Sequence, residues 1–122
     1  GMEPAGSFDR AMERYVRGEY AQAAAGLRAA LGEDPASVEA RFYLGISALL
    51  AGNAEEAIRE LARVAGGDDP DLAEAARYYL AKAYLGRGEV GAARRALRPV
   101  AQGDGAHKER AQRLLQALGA EP

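Results

Sequence analysis

The stretch Gly52-Asn53-Ala54-Glu55-Glu56-Ala57-Ile58-Arg59-Glu60-Leu61 carries a Gly, an Ala and a Leu at steps of five and four residues. The same residue types stand in the same register at Gly18, Ala23 and Leu27, and again at Gly88, Ala93 and Leu97. The first two copies are 34 residues apart and the last two 36. A fixed period in this range marks one supersecondary unit copied and stacked, because each copy buries its apolar face on its neighbours. Such a stack acts through the surface it presents. The register therefore points to a binding function and leaves the ligand open.

Outward from that stretch, each copy reads helix, turn, helix. In the second copy Ser37 caps a helix over about 38–51, and Gly52 ends it as a left-handed C′ residue. Asn53 with Glu56 then opens the next helix in the manner of a capping box. Ala57, Ile58, Leu61 and Val64 form its apolar stripe, and Gly66-Gly67-Asp68-Asp69-Pro70 breaks the chain. The third copy is expected to start with Asp71 as cap and Glu74 as the acid three residues on. Its first helix should end near Leu85 and its second begin near Val90. Pro99 has no N–H to donate, which predicts a kink or an early end there.

In the first copy Phe8, Ala11 or Met12, and Tyr15 make the stripe. Tyr15 stands three residues before Gly18, whereas Ala48 and Tyr84 stand four before their glycines. That reads as one residue missing at the end of this helix. Tyr20 to Leu31 forms the partner helix, with Asp34-Pro35 as its stop. A last helix over about 106–118 places Ala111, Leu114, Leu115 and Leu118 on one side and charges on the others, as the terminus of an open stack requires. The expected organisation is a disordered or fusion-derived start (1–6), repeats over about 7–36, 37–70 and 71–105, a capping helix over 106–118 and a tail over 119–122.

Composition agrees with a helical reading. Among 122 residues there are 29 Ala, the best helix former, with 5 Pro and no Trp. Cys is absent, which removes disulfides, thiolate metal sites and a Cys nucleophile and fits a reducing compartment. No apolar run approaches the roughly 20 residues of a membrane span. The first residues lack the basic and apolar regions of a signal peptide, and Gly1 ahead of Met2 looks like a protease scar. The expected location is the cytoplasm, or the periplasm if the chain is part of a longer exported protein. Net charge is −2, but residues 1–76 carry −7 and residues 77–122 carry +5. The chain is electrically bipolar.

The pattern resembles the tetratricopeptide repeat, a helix-turn-helix unit of about 34 residues. Leu44-Gly45, Gly52, Ala57, Leu61 and Val64 carry the resemblance in the second copy. Leu80-Ala81, Tyr84, Gly88, Ala93, Leu97 and Val100 carry it in the third, and Gly18, Ala23, Leu27, Ala30 and Pro35 in the first. Arg41 and Arg77 depart from it, standing where the family has Trp or Leu; an Arg stem can lie on apolar surface with its head in water. The resemblance implies an all-α, right-handed superhelix of about seven antiparallel helices.

Four other patterns bear on chemistry. Gly86-Arg87-Gly88-Glu89-Val90-Gly91 spells a dinucleotide fingerprint, but the fingerprint needs a strand before it, and here a helix precedes it. Asp68, Asp69 and Asp71 lack the spacing of a calcium loop and read as capping and solvation. His107, the only imidazole, has no sequence neighbour that marks it as a general base. Arg94, Arg95 and Arg98 with Lys108, Arg110 and Arg113 offer phosphate contacts, but no aromatic residue is interleaved for stacking on bases. They read as the solvated face of a helix and the cap. The expectation is no enzyme, no cofactor, no metal, no nucleic acid and no membrane insertion.

The resemblance also implies a concave face built from the first helix of each repeat. It places Phe42, Tyr43, Ile46 and Leu49 there from the second repeat, with Glu39 at the edge. The third contributes Tyr78, Tyr79, Lys82 and Leu85, with Ala75. The first offers either Phe8 and Met12 or Asp9, Glu13 and Val16, according to its register. The polar side chains with which some family members grip terminal carboxylates are replaced by Phe42, Ile46, Tyr43, Ala75 and Tyr79. An apolar and aromatic groove of this kind suits an amphipathic or hydrophobic protein segment, with Lys82 at the rim. Alternatively, some of these rings are inter-helix core. Self-association is a second possibility, favoured by opposite charge on the two halves. Phe-Tyr-Leu-Gly and Tyr-Tyr-Leu-Ala also resemble repeats of bacterial envelope and regulatory proteins, so a domain of such a protein is a further alternative.

Overall fold

In the computed structural model, residues 6–119 are described. They form seven helices: α1 (Ser7–Val16), α2 (Tyr20–Glu33), α3 (Val38–Leu50), α4 (Ala54–Ala65), α5 (Pro70–Gly86), α6 (Val90–Gln102) and α7 (Lys108–Leu118). No strand occurs among the described residues. The chain divides into two compact units, one up to Glu60 and one from Leu61, with the boundary inside α4. In the first unit α2 packs on both α1 and α3. In the second α6 packs on both α5 and α7. The expected starting segment lies almost wholly, and the tail largely, outside the described residues.

Each turn inside a repeat closes in the same way. The N–H of Gly18 donates to the Tyr15 carbonyl at 3.0 Å and that of Glu19 to Arg14 at 2.9 Å. Gly52 and Asn53 repeat the pair on Leu49 and Ala48, and Gly88 and Glu89 on Leu85 and Tyr84. This is the Schellman closure, whose C′ residue must be left-handed. The three glycines have φ of 79°, 89° and 76°. A side chain is strained there, which is why the register begins with Gly each time.

The closure also settles the register of α1. All three first helices end at the same offset from their glycine, so no residue is missing at the end of α1. Tyr15 occupies the place of Leu49 and Leu85, and Arg14 that of Ala48 and Tyr84. Counting back, Ala11 aligns with Gly45 and Ala81, Phe8 with Phe42 and Tyr78, and Met12 with Ile46 and Lys82. The same count sets Asp9 at the position of Tyr43 and Tyr79.

The rest of the register is core. Ala23, Ala57 and Ala93, and likewise Leu27, Leu61 and Leu97, are all 0% exposed. Small residues at the first set let backbones approach. Gly26 on α2 leaves so little room that a Cβ there would lie 2.8 Å from the Ala11 Cβ on α1.

Capping follows the sequence in α3 and α4. Ser37 Oγ accepts the Ala40 N–H at 3.1 Å, and Asn53 Oδ1 accepts the Glu56 N–H at 3.3 Å. At α5 the expectation is corrected. The cap is Asp69, which accepts the Leu72 N–H at 3.0 Å, and Pro70 is the first helical residue. Pro is preorganised for that place, where its missing N–H has no partner to lose. Glu74 is thereby freed from capping. Two further boundaries differ: α6 runs past Pro99 to Gln102, and α7 starts at Lys108 instead of near 106. Pro99 and Arg95, whose carbonyl loses its helical donor, are both exposed, so water can satisfy that group.

The arginines near the start of α3 and α5, where the resemblance implies Trp or Leu, are held by neighbouring segments. Arg41 pairs with Glu60 at 2.8 Å and donates to the Pro35 carbonyl at 3.1 Å. Arg77 donates to the carbonyl of Ala65, the last residue of α4, at 3.0 Å. A cation at a helix C-terminus satisfies an orphan carbonyl and opposes the negative end of the dipole.

Candidate functional site

The expected face divides between the units. In the first, α3 supplies Phe42, Tyr43, Ile46 and Leu49. Phe42 and Ile46 are buried, at 6% and 4% exposure, while Tyr43 and Leu49 are half-buried. The Tyr43 ring meets Phe42 edge-on at a centroid distance of 5.2 Å and Tyr15 at 5.3 Å. Tyr15 in turn meets Tyr20 at 5.8 Å. Phe8, Met12 and Tyr43 all rest on a core of Ala11, Ala24, Leu27 and Leu44. Position along the helix thus separates two roles: Phe42 and Ile46 fill space, while Tyr43 lies against Phe42 and Tyr15 with part of its surface in solvent.

In the second unit α5 supplies Tyr78, Tyr79 and Lys82. Tyr78 is buried at 7% exposure, Tyr79 is half-buried and Lys82 is exposed. The two rings are tilted at 5.4 Å, and the Lys82 ammonium sits 5.3 Å from the Tyr78 ring centre. That is cation–π distance, which fixes the lysine over the ring without neutralising it.

Sequence reasoning missed what surrounds these rings. His107 lies 5.3 Å from Tyr78 and 5.9 Å from Tyr79. Its Nδ1 is 2.7 Å from Glu74 Oε1, and its backbone N–H donates to Glu74 Oε2 at 2.9 Å. Glu74 thus ties the start of α5 to the entry of α7. A Cβ on Gly105 would collide with the Glu74 carboxylate, so glycine there is what admits the acid. The pair is 33 residues apart in sequence, and no local spacing announces it.

The basic cluster also separates. Arg94 donates to the carbonyls of Leu118 and Gly119, at 2.9 and 3.2 Å, and so caps the end of α7. Arg110 and Arg113, one turn apart on α7, instead line a hollow of 320 Å³ with Leu114, Ala117, Tyr78 and Lys82. A second hollow, of 460 Å³, lies along α1 between Phe8, Met12 and Val16, edged by Asp9 and Glu13.

No three His, Asp or Glu side chains gather as a metal would need among the described residues. The segment 86–91 joins one helix to the next with Gly88 at its left-handed turn, so it lacks the strand a dinucleotide fingerprint requires. Among the described residues no helix is long and apolar enough to cross a membrane.

The sequence model of the tetratricopeptide repeat family matches residues 8–73, more than half of the chain. The chain belongs to the tetratricopeptide repeat family. The matched stretch covers α1 to α4 and the start of α5; the closure at Gly88 extends the same construction to α5 and α6. No curated protein matches the chain. Repeats of this family generally mediate protein–protein interaction, and the scaffolds they build are typically not enzymes.

Proposed function

We propose that the chain is a non-enzymatic scaffold that takes a protein segment on the first-helix faces of its repeats. The residues assigned to that face are Phe42, Tyr43, Ile46, Leu49, Tyr78, Tyr79 and Lys82. The observation that carries the reading is the common register fixed by the three Gly closures. It sets Phe8, Phe42 and Tyr78 at one helical position, and Tyr43 and Tyr79 at the next. Burial divides the labour. Phe42, Ile46 and Tyr78 support the face, while Tyr43, Leu49, Tyr79 and Lys82 keep surface for a partner. Tyrosine supplies wide contact area at low entropic cost, which makes it a frequent anchor.

The test places a photo-crosslinking residue at Tyr43 or at Tyr79, and for comparison at exposed Gln22 or Ala62. A partner crosslinked from the two tyrosine positions and not from the two comparison positions supports the reading. Equal crosslinking from all four, or crosslinking confined to the comparison positions, overturns it.

Self-assembly is the second reading. Val16, 81% exposed, lines the hollow on α1 together with Phe8 and Met12, an apolar stretch that a second copy could cover. Light scattering across a concentration series decides it, since a monomer at every concentration rules self-assembly out.

A further inference from the structure

Lys82, Arg110 and Arg113 converge on one hollow, and among the described residues none of the three forms an ion pair. Their sharing of one hollow sets them apart. Arg28, Arg41 and Arg14 each pair with a glutamate, and Arg77 and Arg94 are spent on helix-end carbonyls. Arg17, Arg63, Arg95 and Lys108 also form no ion pair among the described residues, but they do not line this hollow. Glu109 stands four residues before Arg113, a spacing at which helical ion pairs form, yet the two are not paired. Like charges held at one hollow repel each other, and an anion placed between them removes the repulsion. Leu114 and Ala117 give the same hollow an apolar wall.

We infer that this hollow between α5 and α7 receives an acidic segment of a partner protein, with carboxylates on Arg110, Arg113 and Lys82 and an apolar side chain on Leu114. The inference rests on the reading of the α5 face as a protein-binding surface and names the chemistry it selects. Two guanidiniums favour carboxylates because each presents a planar fork that a carboxylate fills with two hydrogen bonds. A nucleic acid fits less well. The Tyr78 ring is buried and covered by Lys82, so it offers no platform for a base. The chain as a whole carries a net charge of −2, which gives a long polyanion no general attraction.

The probe is a fluorescein-labelled peptide, Glu-Ala-Glu-Leu-Glu-Ala-Glu, with its Gln-for-Glu counterpart, followed by anisotropy with the intact chain. The triple variant Lys82→Gln, Arg110→Gln, Arg113→Gln is compared with Arg17→Gln, Arg63→Gln, Arg95→Gln, which removes the same charge from exposed cations elsewhere. Circular dichroism confirms that both remain folded. The Glu peptide should bind at least about tenfold more tightly than the Gln peptide, and the hollow variant should lose about tenfold or more while the comparison variant keeps binding.

Absence of Glu-peptide binding at low salt overturns the inference, as does equal weakening in the two variants. A duplex oligonucleotide that binds more tightly than the Glu peptide, and loses that binding in the hollow variant, also overturns it. So does a dimer that the hollow variant abolishes, because the occupant is then a second copy. Each of these results leaves the crosslinking contrast at Tyr43 and Tyr79 intact, so the two readings fail separately.

Discussion

Arg28 and Glu56 form a two-pronged pair whose halves are unequally exposed, and that inequality makes a sharp prediction. Arg28 Nε donates to Glu56 Oε2 and its Nη2 to Oε1, both at 2.7 Å. The Glu56 side chain is 9% exposed, but that of Arg28 is 49% exposed. The hydrogen bond from Arg28 holds the Glu56 carboxyl below its ordinary 4.5, against burial, which pushes it up. Arg59, 3.9 Å away, adds a weaker pull. Removing Arg28 leaves a nearly buried carboxylate without its main partner. Removing the charge of Glu56 leaves a guanidinium that water can solvate. Arg28→Met should therefore cost about 1.5–3 kcal/mol and Glu56→Gln about 0.5–1.5 kcal/mol. At about 4 °C per kcal/mol for a domain of this size, the gap is visible in Tm.

The assay is urea unfolding followed by circular dichroism, on both single variants and the double, at neutral and acid pH. A coupling of about 1 kcal/mol or more is expected from the cycle. The pH dependence has a fixed sign. A depressed folded pKa means that Glu56 contributes its full stabilisation above the ordinary value of 4.5 and loses it as pH falls through the lower folded value. The deficit of Arg28→Met should accordingly shrink below that window. A Glu56→Gln cost equal to or larger than that of Arg28→Met refutes the reasoning, and so does an Arg28→Met deficit that acid leaves unchanged.

Other consequences are local. Gly52→Ala, forced into φ of 89°, should cost about 1–2 kcal/mol, whereas Gly32→Ala in α2, with open space around it, should stabilise by up to about 1 kcal/mol; thermal melts that fail to separate the two in sign count against the closure argument. Gly26→Ala should push α1 from α2 at a cost of about 1–3 kcal/mol, and a melt equal to the parent would show that the approach is loose. Ser47, wholly buried on α3 with an unpartnered hydroxyl among the described residues, should gain about 1 kcal/mol on change to Ala, and a fall in Tm would mean that its oxygen has a partner.

Helices and core were legible in the sequence because they depend on local periodicity. Gly, Ala and Leu recur at the offsets where the turn, the close approach and the central packing need them, and their burial follows. Two positions differ from the sequence reading. The distance of Tyr15 from Gly18 suggests a missing residue, yet the turn hydrogen bonds place Tyr15 with Leu85 and none is missing. Asp71 drew the cap away from Asp69, although Pro70 between them already marked the first helical residue. The site was less legible because its pairs join distant residues. Glu74 with His107 and Arg28 with Glu56 lie about one repeat apart, and only the stacking of helices brings them together. The six basic residues read as one solvated face prove to include a helix cap, Arg94, and two cations on a hollow, Arg110 and Arg113.

Charge in this chain is therefore sorted by what each residue touches more than by the sign of each half. Arg14, Arg28 and Arg41 are answered by Glu19, Glu56 and Glu60 within the acidic stretch. A partner that engages them competes with these internal pairs. Arg77 and Arg94 are bound to helix-end carbonyls, so their substitution should lower stability while leaving the affinity of an acidic segment nearly unchanged. Arg110 and Arg113 invert that expectation. They form no ion pair among the described residues, so the proposed association with a partner's carboxylates should weaken steeply with salt. A binding surface of this kind is recognised by unanswered cations that converge on one hollow, and the apolar wall of Leu114 beside them supplies the contact that salt does not screen.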